Sequence, residues 1–336
     1  MPRLRRGASL LGALLLVAGC ATTGPSAVPS GASASPTGSS AAGAACPTSP
    51  TPDPAALTDW GAPATAPTLT PLLVSNYIVC GEARILFLFL DAASKDVSAP
   101  DRTVSVAFYD LGKDPATPVA TVDGEFIWTI QDERGMYIVN PDLPEAGQWG
   151  AEFTTEAPGS PAETTRVTFE VHDDSPWVAV GEPAPASESP TLADAGGDIA
   201  QISTDQDPDP AFYETSVAGA LAAHEPFVLI FATPKFCATA QCGPTLDRFK
   251  PVAAANPEVT FINVEPYVLE PVDGQLQPVL DANGNLQSAP TTREWGLFFE
   301  PWIYAVDGDG VVRGSYEIAI SDAELAVVLD EITAAP

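Results

Sequence analysis

The stretch FVLIFATPKFCATAQCGPT, residues 227–245, decides the fold of the C-terminal part of the chain. Its first five residues are all apolar, which is typical of a central strand that is covered on both faces. Proline is favoured in the first turn of a helix, so Pro244 predicts that a helix begins near Cys242. Two cysteines, Cys237 and Cys242, are therefore expected between the end of a buried strand and the start of a helix.

Strand and helix patterns alternate over the last 125 residues or so around this stretch. The strand candidates are 227–231, 259–264, 302–306 and 311–316, and the helix candidates are 216–223, 246–253 and 322–332. The first two strands predict a βαβ unit with a right-handed crossover, and the last two predict an antiparallel hairpin. Ser321 and Glu324 have the spacing of a capping box before the final helix.

This order of elements resembles that of thioredoxin-like proteins over roughly residues 212–334, and two motifs carry the resemblance. Redox cysteines follow the central strand in that family, as Cys237 and Cys242 do here. The segment WGLFFEP, residues 295–301, is similar to the family's segment before its cis-proline. The resemblance implies a thiol–disulfide oxidoreductase in which Cys237 attacks, Cys242 resolves the mixed disulfide and Pro301 presents its backbone to a peptide.

The cysteine spacing departs from the family's Cys-x2-Cys, because four residues separate Cys237 from Cys242. An alternative alignment matches Cys242-Gly-Pro-Thr245 to Cys-Gly-Pro-Cys, which leaves Cys237 as an added cysteine. A cysteine in the preceding loop can fold back onto one at a helix start, so a Cys237–Cys242 disulfide is geometrically feasible.

Two further residues bear on the chemistry of this pair. A helix N-terminus favours the thiolate form of a nearby cysteine. Glu300 precedes the expected cis-proline and is predicted to lie near the cysteines, where its negative charge opposes that effect. The family's buried acid on the central strand is missing, because Phe231 takes its place.

The N-terminus has the features of a lipoprotein signal peptide in residues 1–20. Three arginines at positions 3, 5 and 6 precede a short apolar run over 7–19, and the sequence Val17-Ala-Gly-Cys20 resembles a bacterial lipobox. Cys20 is then the lipidated first residue of the mature protein, anchored to the bacterial cell membrane. The alternative is an ordinary secreted protein in which Cys20 is incidental.

Composition divides the rest of the chain. Residues 21–63 are rich in Ala, Thr, Gly, Pro and Ser and predict a flexible, disordered tether. About seven short strands with period-two alternation over 64–174 predict an all-β immunoglobulin-like sandwich, although the Cys…Trp…Cys spacing of antibody domains is missing. A polar, proline-rich linker is predicted over 175–210, and the α/β thioredoxin-like domain over 211–336.

Charge and histidine content exclude several classes of function. The chain has 14 Lys and Arg against 44 Asp and Glu, for a net charge of −30, which disfavours binding to nucleic acid or to anionic lipid through a basic patch. Only 2 histidines are present, so a His-rich metal site is excluded. No metal and no cofactor are predicted.

The remaining four of the 5 cysteines are expected to pair in an oxidising compartment. The simplest of the three pairings joins Cys46 to Cys80, as a structural disulfide, and Cys237 to Cys242. The alternative leaves Cys46 free.

The favoured function is an extracytoplasmic thiol–disulfide oxidoreductase that acts on envelope proteins with thiols or disulfides. The main alternative is a redox-inert envelope protein whose thioredoxin-like domain carries a structural disulfide. A peroxiredoxin-like peroxidase is less favoured because Thr233 lies one place too far from Cys237. A Sco-like copper chaperone needs Cys-x3-Cys and a downstream histidine, and no histidine follows His224.

Overall fold

Strands dominate the computed structural model, which describes residues 46–61 and 67–334. The N-terminal part contains α1 (Pro54–Gly61), β1 (Leu69–Leu73), β2 (Ile78–Val79), β3 (Gly81–Glu82), β4 (Ile85–Asp91), β5 (Thr103–Asp110), β6 (Ala120–Asp123), β7 (Glu125–Ile130), β8 (Arg134–Val139), β9 (Asp142–Leu143), β10 (Gly147–Glu156) and β11 (Glu163–His172). The C-terminal part contains α2 (Val217–Ala223), β12 (Phe227–Phe231), α3 (Cys242–Ala255), β13 (Thr260–Val264), β14 (Leu269–Val272), β15 (Gln275–Pro278), α4 (Pro290–Glu294), β16 (Trp302–Val306), β17 (Val312–Glu317) and α5 (Asp322–Thr333).

Two sheets in the N-terminal part share one apolar core. One sheet has the order β1-β4-β8-β7 and the other β2-β11-β10-β5-β6, with all pairs antiparallel except β2 with β11. The inward residues of the period-two pattern meet between the sheets, among them Phe87, Tyr137, Trp149 and Phe153. The predicted β-rich character of this part is confirmed, and these two facing sheets are called the sandwich below.

The C-terminal part is built on a mixed sheet with the order β13-β12-β16-β17. Strand β12 runs parallel to β13 and antiparallel to β16. Its residues alternate between two cores: Val228 and Ile230 pack with α3 and α5, whereas Phe227, Leu229 and Phe231 pack with α2 and Trp295. The continuous apolar run therefore reflects a strand that is covered on both faces.

Local sequence signals set the ends of the helices. Helix α3 begins at Cys242, and α5 begins after Ser321, where both hydrogen bonds of the Ser321–Glu324 capping box are present. Helix α2 ends at His224, whose backbone adopts the left-handed region with φ 57° and whose ring lies 3.2 Å from the Gly308 carbonyl oxygen. None of the helices in the described ranges is long and apolar enough to cross a membrane.

The segment predicted as a tether differs from the expectation over residues 46–61, which are ordered and packed. The indole of Trp60 lies against Tyr109, with ring centroids 5.3 Å apart, and Arg166 covers it at 4.7 Å. Gly150 makes room for this ring, since a Cβ there would lie 2.4 Å from the indole. The Trp60 indole and the Cys46–Cys80 disulfide thus hold this segment on the sandwich in spite of its low hydrophobicity. The signal peptide, Cys20 and the rest of the predicted tether lie outside the described residues.

The predicted linker, 175–210, is also packed onto the C-terminal sheet instead of crossing solvent. Trp177 is buried beside Trp302, with ring centroids 4.8 Å apart. Pro183 forms a bridge with Val311, and the buried Ser189 hydroxyl accepts the N–H of Val217 at 3.1 Å. Backbone pairing and a buried indole hold this segment although its composition resembles that of a linker.

Candidate functional site

The structure joins Cys237 and Cys242 in a disulfide between the end of β12 and the start of α3. Their Cα atoms lie 6.1 Å apart. Cys242 is the first residue of α3 and has no exposed surface, because it packs in the core beneath the helix. Cys237 lies in the preceding loop and is only half-buried. The pair therefore has one half-buried cysteine and one completely buried cysteine.

The N-terminus of α3 is directed at the sulfur of Cys237. Gln241 occupies the N-cap position without capping the helix through its side chain, and the N–H of Cys242 donates to Cys237 Sγ at 3.3 Å. The hydroxyl of Thr239 lies 3.4 Å from the same sulfur. Donors at a helix N-terminus favour the thiolate form of cysteine. After reduction, this arrangement therefore stabilises negative charge on Cys237.

The four-residue spacing is accommodated by a turn of the loop at Ala240. Its φ is 59°, in the left-handed region that a residue other than glycine enters at a cost of about 1 kcal/mol. The loop thereby folds back, and Cys237 Sγ reaches the backbone of Cys242. No motif in the sequence marks this turn, because glycine is absent from it.

Glu300 and Pro301 lie against the disulfide loop, in the segment before β16. The peptide bond between them is cis, and Glu300 is only 3% exposed. Glu300 Oε1 accepts the N–H of Ala238 at 3.2 Å, and Oε2 accepts the hydroxyl of Tyr267 at 2.5 Å. Burial raises the pKa of Glu300, although both hydrogen bonds oppose the shift.

The structure brings Cys237, Cys242 and Glu300 into one cluster. Their sulfur and carboxylate ligand atoms all lie within 4.8 Å of one another. Sequence reasoning placed these residues together but missed Tyr267, which lies 33 residues before Glu300. No pattern in the sequence singles out Tyr267, because its role depends only on how the loop after β13 folds.

A second buried acid, Glu265, was also missed by sequence reasoning. It follows β13 directly, and its Oε1 accepts the N–H of Thr204 at 2.6 Å. Burial raises its pKa to about 7. The only sequence feature that could have indicated Glu265 is its position as a single charged residue directly after the apolar strand β13. Phe231 lies at the end of the central strand, opposite Val264, and Glu265 is the next residue along the chain after Val264.

The two cysteines predicted to form a structural disulfide, Cys46 and Cys80, lie outside this cluster. They are bonded to each other beside the core of the sandwich, with their Cα atoms 6.4 Å apart. The sandwich also contacts the loop between Cys237 and Cys242, since Arg134 Nη1 lies 3.4 Å from the Thr239 carbonyl oxygen. Phe298, two residues before Glu300, is 53% exposed.

No protein-family model matches the chain, and no curated protein matches it either. Among solved structures, a DUF4426-family protein of Pseudomonas aeruginosa is 15% identical, covering 32% of this chain and 91% of its own, with a TM-score of 0.23. The soluble domain of PmoD from a Methylocystis species is 12% identical over 32% of this chain and 93% of its own, with a TM-score of 0.20. A conjugative transposon lipoprotein of Bacteroides eggerthii is 10% identical over 30% of this chain and 96% of its own, with a TM-score of 0.17. Scores this low establish no common fold and no function.

Proposed function

We propose that this protein is an extracytoplasmic, lipid-anchored thiol–disulfide oxidoreductase that acts through Cys237 and Cys242. The observation that carries the proposal is a disulfide at a helix N-terminus, with one half-buried cysteine in a loop and the Glu300 carboxylate beside both sulfurs. A structural disulfide has no need of a helix N–H directed at its more exposed sulfur.

The proposal includes a thioredoxin-like domain over 211–336 that follows an immunoglobulin-like domain over 64–174. The sheet order β13-β12-β16-β17 supports the thioredoxin-like assignment. So do the parallel β12–β13 pair joined through α3, the antiparallel β16–β17 hairpin and the terminal helix α5.

The reaction is thiol–disulfide exchange, and in the reducing direction it converts a substrate disulfide to two thiols. The Cys237 thiolate attacks a substrate disulfide, forms a mixed disulfide and releases one substrate thiolate. The Cys242 thiolate then attacks Cys237 Sγ and releases the second substrate thiolate. The substrate gains two electrons, and the Cys237–Cys242 disulfide forms again. The steps run in reverse when the protein oxidises a dithiol, and no cofactor other than the cysteines takes part.

Two side chains and two backbone groups support the cysteines in this scheme. The Cys242 N–H and the Thr239 hydroxyl stabilise the Cys237 thiolate. Glu300 lies within reach of both sulfurs and disfavours the thiolate when it is ionised. Pro301 presents backbone to the substrate peptide. The partners are envelope proteins with thiols or disulfides, and Cys20 attaches the chain to the membrane.

The second candidate is a redox-inert protein in which this disulfide is structural, and the complete burial of Cys242 favours it. The reduction potential of the Cys237–Cys242 pair decides between the two. Equilibration with thiol buffers, followed by differential alkylation and mass spectrometry, measures each disulfide separately, and the Cys46–Cys80 bond serves as an internal control. We expect about −120 to −270 mV for the Cys237–Cys242 pair, the range of catalytic pairs, whereas a value below about −300 mV would overturn the proposal.

A further inference from the structure

We infer that reduced Cys237 and Cys242, together with Glu300, bind a thiophilic divalent cation of the Zn²⁺ class. The ligand atoms of the three side chains already lie within 4.8 Å of one another. Cys242 and Glu300 are buried, and Cys237 is half-buried. The cluster therefore offers three ligands on the protein side and leaves a fourth position towards solvent, beside Cys237.

The three side chains are close enough to share a single ion once the disulfide is reduced. Zn²⁺ binds thiolate sulfur at about 2.3 Å and carboxylate oxygen at about 2.0–2.2 Å, so ligands on one tetrahedral ion lie about 3.3–3.8 Å apart. The two sulfurs have to move apart beyond bonding distance after reduction. Cys237 can make this movement because it lies in a loop, whereas Cys242 is fixed in the first turn of α3.

Hydrogen bonds already orient the ligands. The Ala238 N–H and the Tyr267 hydroxyl hold the two oxygens of Glu300. The Cys242 N–H and the Thr239 hydroxyl contact Cys237 Sγ. Such outer contacts fix the orientation of metal ligands and strengthen binding.

The ligand set selects the class of cation. Two thiolates exclude Mg²⁺ and Ca²⁺, which take oxygen ligands. A carboxylate beside the thiolates is a ligand for Zn²⁺, whereas Cu(I) is selected by sulfur ligands alone. Two thiolates and one carboxylate also place three negative charges in a largely buried cluster, and a divalent cation removes most of their mutual repulsion.

The inference rests on the proposed function in one respect, which is that the pair becomes reduced. A dithiol of the envelope supplies two electrons and two protons by thiol–disulfide exchange and becomes a disulfide itself. Binding of the cation then releases the thiol protons and occupies both sulfurs. The bound cation and the disulfide are therefore mutually exclusive states of the same site.

The test is a Co²⁺ titration of the full chain in detergent, after reduction with excess phosphine and anaerobic desalting. We expect one Co²⁺ per chain, with sulfur-to-cobalt charge-transfer absorption and the strong visible bands of tetrahedral Co²⁺, and we expect added Zn²⁺ to abolish both. The inference would be overturned if these bands were absent from the wild-type protein. It would also be overturned if the Cys237→Ser variant kept all of them.

Variants test the contribution of the carboxylate. Glu300→Gln should weaken Zn²⁺ binding at least about tenfold, and Tyr267→Phe should weaken it less, because it removes only a supporting hydrogen bond. Glu265→Gln is the matched control, since it neutralises another buried acid outside the cluster and should leave binding unchanged. Equal affinities in Glu300→Gln and the wild-type protein would exclude Glu300 as a ligand and overturn the three-ligand site.

The reduction potential is measured separately, on metal-free protein with a chelator present. A potential below about −300 mV contradicts the oxidoreductase but leaves the titration valid, because phosphine forces reduction. Failure to bind Co²⁺ contradicts the cation site whatever the potential is.

Discussion

Arg84 and Glu324 form a buried ion pair that joins the sandwich to the terminal helix α5, although the two residues are 240 positions apart in sequence. Arg84 Nε lies 2.6 Å from Glu324 Oε1, and Nη2 lies 3.0 Å from Oε2. The side chains are 3% and 6% exposed. Burial alone would raise the pKa of Glu324, but the Arg84 charge and the Ser321 N–H outweigh it, so this pKa lies below its ordinary value. The same carboxylate thus caps α5 and neutralises Arg84.

Arg84→Met should lower the free energy of unfolding by about 3–5 kcal/mol, because it leaves Glu324 buried without its counter-charge. Urea denaturation measures the change. Arg313→Met is the control: its pair with Asp307 involves an arginine side chain that is 45% exposed, so we expect a loss of about 1 kcal/mol or less. Similar losses in the two variants would show that burial does not set the strength of the Arg84 pair.

The stability of the protein should fall as the pH rises from about 4.5 to 7, in part because of Glu317. Burial raises its pKa from 4.5 to about 7, although the Ser75 hydroxyl and Arg84 oppose the shift. In this window the folded state retains a proton on Glu317 that the unfolded state has lost. The stabilisation that Glu317 contributes is therefore complete below pH 4.5 and is lost as the pH rises through about 7. Each pKa unit corresponds to about 1.4 kcal/mol.

Glu317→Gln should flatten this part of the pH profile, because glutamine carries no titrating proton. Urea denaturation at pH 5 and at pH 8 measures the slope. Some slope should remain, since Glu265 titrates in the same direction. The exposed Glu188 provides the control Glu188→Gln, which should leave the slope unchanged. A Glu317→Gln profile parallel to that of the wild-type protein would contradict this assignment.

Cys242→Ala should trap mixed disulfides between Cys237 and envelope proteins, because the resolving thiol is gone and the half-buried loop cysteine remains. Non-reducing electrophoresis of membrane extracts followed by mass spectrometry identifies the adducts. Cys237→Ala should trap few or none, since Cys242 is completely buried. If both variants melt at lower temperature and neither traps a partner, the disulfide is structural.

Glu300→Gln should make Cys237 more reactive near neutral pH, because it removes a carboxylate that disfavours the thiolate. The rate of alkylation by iodoacetamide as a function of pH measures this effect in a Cys242→Ala background. We expect the profile to move towards lower pH, and Glu265→Gln to leave it in place. A shift towards higher pH would mean that Glu300 supports the thiolate.

Cys20→Ser should release the protein from membranes, since the acyl chains are attached at this residue in the proposed anchor. Fractionation at high salt measures the distribution, and a variant at the neighbouring Ala21 serves as the control. Retention of the Cys20→Ser protein in the membrane fraction would contradict the lipid anchor.

Local patterns in the sequence determined the elements themselves. The apolar run of β12, the proline in the first turn of α3 and the capping box of α5 depend on interactions within a few residues, so they were visible in the sequence. Period-two alternation likewise indicated the strands of the sandwich, because one face of each strand is buried.

Only the tertiary structure decided which side chains meet across the chain. Tyr267 reaches Glu300, and Arg84 reaches Glu324, through long-range folding that leaves no spacing to recognise. Composition gave the wrong expectation for two segments that are each held by one buried indole. Trp60 anchors residues 46–61, which have the composition of a tether, and Trp177 anchors the segment that has the composition of a linker. Sequence patterns report average burial and local geometry, whereas the burial of one indole or the pairing of two distant charges depends on the assembled core.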